Sequence, residues 1–151
     1  MPSSIPTSFD EQLANAKRSA VHLEMRDTYY SNPRFEAWQN GERVNWDDRA
    51  SWWRPFHQDI ADAVARGVVV RRARVVSEPV SDYIRWEHYQ TRANVEAGEQ
   101  VRWLPRRRTA DLLMPGRDFW IFDDRALVEL NAAAFESIWE RAVPHDQYEI
   151  R

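Results

Sequence analysis

The chain has 151 residues, with 24 acidic and 21 basic side chains and a formal net charge of −3. This length suits one domain of ordinary size, and the charge gives no general attraction to nucleic acid. The absence of cysteine excludes a disulfide framework, a cysteine nucleophile and a thiolate metal site. Apolar runs are only a few residues long, far below the ~20 that a bilayer span requires. We therefore expect a cytoplasmic protein without a membrane partner or a direct nucleic-acid partner.

The beginning of the chain predicts a flexible tail over residues 1–7 and one domain over residues 8–151. The tail has neither a basic head nor an apolar stretch, so it does not resemble a signal peptide. Ser8 is a good helix N-cap, and apolar residues follow it at helical spacing. Apolar and polar side chains then alternate over residues 21–25, which predicts a half-buried strand. His22 on this strand is expected to face either water or a second layer.

The next segment predicts two helices and a strand. A helical turn is expected over residues 34–40. A longer helix is expected to start at Asn45 or Asp47 and to end at Gly67, a typical C-cap residue. Residues 68–77 are rich in β-branched side chains and predict a strand directly after that glycine.

The second half of the chain continues the alternation of helices and strands. Ser81 caps a helix that is expected to run to about Thr91. Strands are expected over residues 101–104 and 118–123, and a last helix over residues 125–142. This order predicts an α/β fold with a single mixed, mostly parallel sheet flanked by helices.

No catalytic motif is found in the sequence. There is no G-x-S-x-G nucleophile turn, and with four glycines there is no glycine-rich phosphate loop. The four histidines form no i,i+4 pair of the kind that binds zinc on a helix. We therefore expect no cofactor and no metal, and we favour a non-enzymatic role.

Charged blocks and aromatic residues lead to further expectations. The basic blocks over residues 66–74 and 102–108 are interpreted as solvated faces. The aromatic strand over residues 118–123 is apolar on both faces, which predicts a position in the middle of the sheet. Trp120 and Trp139 are expected to be buried in one core.

Polar side chains follow several of the predicted strand ends or helix starts. In a mostly parallel sheet these positions meet at one edge, where α/β proteins commonly bind ligands. We therefore hypothesise a cluster for a polar ligand, with ion pairs and caps that fix loops as the alternative. The pair Asp123–Asp124 is likewise either part of this cluster or simple helix capping. The candidate ligand-binding residues are Arg26, Asp27, Tyr29, Asp82, Tyr83, Arg85, Arg102, Asp123 and Asp124.

Five short motifs carry a resemblance to a known family. They are R-D-x-Y, S-D-Y-x-R, G-E-x-x-R-W-L, D-F-W-x-F-D-D and W-x-x-A-x-P-H, at residues 26–29, 81–85, 98–104, 118–124 and 139–145. With them the chain resembles the domain-of-unknown-function family DUF6879. The resemblance implies a cytoplasmic actinobacterial protein, encoded near helix-turn-helix regulators of the XRE type. It also implies a further hairpin after Asp124, which the sequence leaves no room for before the last helix.

The chain is also similar, more faintly, to phospholipase-D-like effector domains. This second resemblance implies a phospholipase-D-like fold without the chemistry, because the H-x-K motif is absent and Lys17 is the only lysine. Taken together, the resemblances favour a regulatory or protein-interaction module that partners a helix-turn-helix transcription regulator. A small-ligand sensor that uses the arginine, tyrosine and aspartate cluster is the alternative.

Overall fold

The structure is a computed structural model and describes residues 8–30, 32–123 and 129–151. It confirms the expected α/β fold, because one mixed five-stranded sheet has helices on both faces. The strand order is β4-β1-β2-β3-β5. Strands β1 to β3 are parallel, and β4 and β5 run antiparallel at the two ends. The strands are β1 (Ser19–Glu24), β2 (Val69–Val76), β3 (Gln100–Pro105), β4 (Phe119–Phe122) and β5 (Val143–Pro144).

Six α-helices are present within the described residues, and two short 3₁₀ turns follow β3 and β5. Ser8 caps the first helix, as expected, by accepting a hydrogen bond from the Glu11 amide. Ser81 caps the fifth in the same way through the Ile84 amide. The helices are α1 (Phe9–Asn15), α2 (Pro33–Gln39), α3 (Arg49–Trp52), α4 (Pro55–Ala65), α5 (Asp82–Glu96) and α6 (Glu129–Arg141), and the 3₁₀ turns are Arg106–Arg108 and His145–Gln147.

The two faces of the sheet are covered by different helices. Val21 and Leu23 of β1 and Val75 of β2 pack against α6 in one apolar cluster. The opposite face carries α1, α4 and α5, in two separate apolar clusters. Helices α4 and α5 belong to the two successive parallel connections, β1 to β2 and β2 to β3, and both lie on this face. The candidate site lies between these two clusters.

Three differences from the expected elements have local causes. The helix expected to end at Gly67 is two helices, because Arg54 precedes Pro55 and is extended, with φ −115° and ψ 165°. Helix α5 continues beyond Thr91 to Glu96, where Gly98 follows with a positive φ. Strand β5 was not expected, since two residues give no periodicity to detect.

Strand β4 is the terminal strand of the described sheet, so its predicted central position is wrong. Both of its faces are nevertheless covered, which explains the aromatic sequence. Ile121 packs against the α6 cluster, while Trp120 and Phe122 lie on the α1 side. Trp139 of α6 is buried as expected, but Trp120 is half-buried on the opposite face of the sheet, so the two do not share a core.

Two expectations fall on or near residues outside the description. The start of the last helix and any hairpin after Asp124 lie at residues 124–128, outside the described residues.

Among the described helices, none combines the length and the apolar character needed to cross a membrane.

Candidate functional site

A layer of buried charge lies between the two apolar clusters on the α1, α4 and α5 face. His22 and Glu24 of β1 and Arg72 and Arg74 of β2 point to this face, because they alternate with residues of the α6 cluster. Arg72 and Arg74 are 6% and 4% exposed, and Glu99, just before β3, is 2% exposed. The expectation that residues 66–74 form a solvated face is therefore wrong for these two arginines.

The buried charges are joined by a continuous set of ion pairs. The Arg72 guanidinium bridges Glu24, at 2.8 Å from Nη1 to Oε1, and Glu99. The Arg74 guanidinium bridges Glu24 and Glu87, at 2.9 Å from Nη1 to Oε2 of Glu87. Buried charges are tolerated only with such pairing. The arginines hold the pKa of the Glu24 carboxyl at about 2 against burial, so Glu24 is ionised at neutral pH.

His22 completes this layer as a neutral side chain. Burial lowers the pKa of His22 to about 3, although the Glu24 carboxylate opposes the shift. Its imidazole stacks on the Trp120 indole, with ring centroids 4.2 Å apart. His22 therefore faces the second layer, which is the set of helices and the Trp120 ring on this side of the sheet, rather than bulk water.

A cavity of about 340 Å³, here called the charged cavity, opens above this layer. It lies within the size range of small-ligand sites. Among the described residues its lining contains four arginines but one glutamate, Glu87, while Glu24 and Glu99 pair with Arg72 and Arg74 outside the lining. Even when all three carboxylates are counted, one positive charge remains in excess. The lining residues include His22, Arg34, Arg54, Arg72, Arg74, Trp86, Glu87, Gln90, Asn94 and Trp120.

A second cavity of about 290 Å³, here called the tryptophan cleft, adjoins the first. Its walls are aromatic and come from α2, α5 and the segment between α2 and α4. Tyr89 holds that segment in place, because its hydroxyl accepts a hydrogen bond of 2.8 Å from the Val44 amide. The lining residues include Trp38, Arg43, Trp46, Trp52, His57, Trp86, Tyr89 and Gln90.

Two arginines stand where the cavities meet. Arg34 of α2 and Arg54 before α4 line both cavities, together with Trp86 and Gln90. Within the described residues, no carboxylate lies within 4.0 Å of either guanidinium, the distance that defines an ion pair. Burial, and then the positive charge of Arg34, lower the pKa of Arg54, although the Glu87 carboxylate opposes the shift. The shared mouth is therefore a partly buried position that favours an anion.

Three buried nitrogens of residues lining the cavities have no hydrogen-bond partner in the described part of the chain. They are Nδ1 of His22 and Nε of Arg74, at the charged cavity, and Nε2 of His57, at the tryptophan cleft. His57 is 1% exposed, and its Nδ1 accepts the Arg54 amide at 3.0 Å, so the neutral ring carries its proton on Nε2. Buried donors without an acceptor are uncommon in native proteins and costly.

Comparison with family models matches residues 7–134 to the family described as "Domain of unknown function (DUF6879)". The chain belongs to the DUF6879 family. No curated protein and no solved structure matches it. Every residue that lines the charged cavity and the tryptophan cleft lies within the matched part, so both are features of the DUF6879 domain itself.

The residues predicted to bind a ligand do not all come together in this DUF6879 chain. Asp27, Tyr29 and Tyr83 come together at the carboxyl ends of the parallel strands, but in structural contacts. Asp27 accepts the amide and hydroxyl of Ser77 at 2.9 and 2.8 Å, and Tyr29 donates to Asp118. Beside them, Tyr83 is buried among aromatic rings, while Arg26, Asp82 and Arg85 are exposed.

The remaining candidates lie elsewhere in the fold. Arg102 extends over the Trp139 indole, 4.2 Å from its centroid, on the α6 face. Asp123 lies at the opposite end of β1, where its carboxylate accepts the amides of residues 17–19 at 2.7–3.1 Å. This carboxylate therefore links the start of β1 to the end of β4. Asp124 lies outside the described residues.

The actual cavity residues were missed because their pattern has two interpretations. The alternation of arginine with apolar residues over residues 72–75 indicates a strand with one polar and one apolar face. The same alternation occurs when the polar face meets water and when it meets a second layer. The signal that distinguishes a solvated face from a covered one is an acidic residue on the neighbouring strand. Glu24 alternates with apolar residues on β1 as the arginines do on β2. Opposite charges on adjacent parallel strands favour pairing with each other under a helix.

Proposed function

We propose that this DUF6879 domain binds a small organic anion at the shared mouth of its two cavities. The observation that carries the proposal is the pair Arg34 and Arg54, which line both cavities and have no carboxylate of the described residues at ion-pair distance. Guanidinium groups bind carboxylate and phosphate groups with two parallel hydrogen bonds, so two of them at one mouth suit an anionic group.

The buried arginines at the base of the charged cavity support this proposal, because they are held in place before any ligand binds. Arg72 and Arg74 are held by three glutamates and cannot turn towards water without breaking buried ion pairs. A preformed site loses little free energy to ordering when a ligand binds. The Nε of Arg74 is a donor that none of the described residues accepts from, so a ligand acceptor can satisfy it.

In this proposal the domain is a sensor that passes ligand occupancy to a protein partner. The resemblance to families encoded near helix-turn-helix regulators supports a transcription regulator as that partner. An actinobacterial source and a phospholipase-D-like ancestry belong to the same proposal, and neither is needed for anion binding. The sensor differs from the one first hypothesised in its location, which is the cavity mouth rather than the strand-end cluster.

Thermal unfolding with added anions tests the proposal. Inorganic phosphate, sulfate and citrate are titrated against the full chain at low ionic strength. An anion at 100 times its Kd stabilises the native state by about 2.7 kcal/mol, which corresponds to roughly 5–10 °C in Tm for a chain of this size. We expect Arg34→Ala and Arg54→Ala each to remove most of that shift.

Arg85→Ala is the matched control. Arg85 is exposed on α5 and lines neither cavity, so its removal changes net charge by the same amount without touching the mouth. The proposal predicts a normal anion response in this variant. Equal loss of the response in all three variants would mean that the anions act through net charge alone.

A further inference from the structure

The tryptophan cleft carries a second inference, which rests on the proposed anion site and specifies its ligand. The cleft adjoins the arginine mouth directly, because Trp86 and Gln90 line both cavities. A molecule whose anionic group meets Arg34 and Arg54 therefore has the cleft within reach of its remaining atoms.

The walls of the cleft suit a flat group. Trp38 and Tyr89 already hold one between them, since the guanidinium of Arg43 lies 4.9 and 5.8 Å from their ring centroids. Trp46 packs edge-on to Trp52 and tilted to Tyr89, with centroids 5.3 and 5.7 Å away. Aromatic surfaces at these spacings interact with planar, delocalised groups through stacking and cation–π contacts.

The cleft also contains a specific polar group at a buried position. His57 is buried and its Nε2–H has no acceptor among the described residues, while its Nδ1 is committed to the Arg54 amide. An apolar ring would leave this donor unpaired. A ring nitrogen or carbonyl oxygen would accept its hydrogen bond, which is worth more in a buried site than on the surface.

We infer that the ligand joins its anionic group to a flat nitrogen heterocycle, and that this ring binds in the tryptophan cleft with an acceptor atom facing His57 Nε2. Nucleotides and heteroaromatic carboxylates share this chemistry. In this arrangement the arginine mouth supplies most of the affinity, and the cleft selects ring-bearing anions from ring-free ones.

Calorimetric titration of the full chain with matched probes tests the inference. Adenosine and cytidine 5′-monophosphates are compared with ribose 5-phosphate, and nicotinate is compared with acetate. We expect at least one ring-bearing probe to bind ten-fold more tightly than its ring-free counterpart. The nucleotide and nicotinate arms then identify which source of the anionic group the site accepts.

Intrinsic tryptophan fluorescence provides a readout that needs no variant. A ring in the cleft changes the emission of Trp38, Trp46 and Trp86, whereas ribose 5-phosphate at the mouth leaves most of it unchanged. Equal affinity for ring-bearing and ring-free anions overturns the inference and leaves anion binding intact. Failure of every anion to bind overturns the proposed function together with it.

His57→Asn isolates the polar contact. The asparagine carbonyl keeps an acceptor near the position of Nδ1, which preserves the bond from the Arg54 amide, and it removes the donor at Nε2. We expect the preference for the ring-bearing probe to fall at least five-fold while the affinity for ribose 5-phosphate is retained. An unchanged preference in a folded variant contradicts the role of His57, and so overturns the inference as stated.

Discussion

The imidazole of His22 lies flat against the indole of Trp120, with ring centroids 4.2 Å apart and 17° between the ring planes. The two residues are directly paired across β1 and β4. Their stack forms a wall of the charged cavity and keeps His22 neutral within a layer of arginines and glutamates. Protonation of His22 would place a further positive charge beside Arg72 and Arg74.

Acidification is therefore expected to destabilise the fold before the carboxylates titrate. Burial lowers the pKa of His22 to about 3 and those of His57 and His145 to about 4, from 6.5. Between pH 6.5 and 4 the unfolded chain takes up protons that the folded chain does not, so the free energy of unfolding falls as pH falls.

Each histidine that stays neutral contributes a loss of about 1.4 kcal/mol per pH unit in this window. Urea unfolding at pH 7, 6 and 5 measures it. His22→Asn removes one titrating group and should make the pH dependence shallower by about one proton. Equal stability at pH 7 and pH 5 would contradict the neutral state of these histidines.

The buried ion pair of Glu99 is expected to be essential for stability. Glu99→Gln removes one carboxylate from Arg72 and leaves a buried positive charge less well paired, which typically costs about 3–5 kcal/mol. Glu96→Gln is the control, since Glu96 pairs with Arg92 through the same kind of contact on the exposed face of α5. That change should cost less than about 0.5 kcal/mol in chemical denaturation. Similar costs for both variants would mean that the buried layer is not held by charge.

Asp123 is expected to fix the start of β1 to the end of β4. Its carboxylate accepts three backbone amides, which lower its pKa, and its own φ is 57°. Asp123→Asn tolerates the left-handed backbone but loses the charge, so we expect a loss of about 1–3 kcal/mol. Asp123→Gly also tolerates the positive φ at this position, and it removes the side-chain acceptor altogether. A glycine variant as stable as the wild type would show that the amide contacts contribute nothing.

The two tryptophans that flank the sheet should differ in their contribution to stability. Trp139 is 7% exposed in the α6 cluster and supports Arg102, so Trp139→Ala should cost about 3–5 kcal/mol. Trp120 is half-buried at the cavity, and its truncation should cost less while exposing His22. Thermal unfolding of both variants measures the difference, and the reverse order would place the main core on the cavity side.

Much of the fold could be predicted from local signals, and the cavity could not. Ser8 and Ser81 mark helix starts through their side-chain oxygens, a contact within three residues. Arg72 and Glu99 lie 27 residues apart, and their pairing depends on the register of β2 and β3 and on the packing of α5 above them. Periodicity alone predicts which face of the sheet a side chain lies on. Whether that face is solvated depends on the helix that packs over it.

The edge position of β4 illustrates the same limit. Its apolar residues on both faces correctly indicate coverage from two sides, because α1 and α6 reach the end of the described sheet. Coverage does not determine strand order, which follows from the antiparallel pairing of Phe119–Phe122 with β1. The side chains of Asp118 and Asp123 support this pairing, because they accept hydrogen bonds from backbone amides at the two ends of β1.

Anion binding at the shared mouth is tested most directly by NMR of the arginine side chains. The Nε–H resonances of the full chain are followed while inorganic phosphate is added at constant ionic strength. The account predicts saturable shifts at Arg34 and Arg54, with a smaller response at the Trp86 indole between the cavities. Shifts confined to exposed arginines such as Arg85 and Arg107, or linear with phosphate concentration at every arginine, would contradict it.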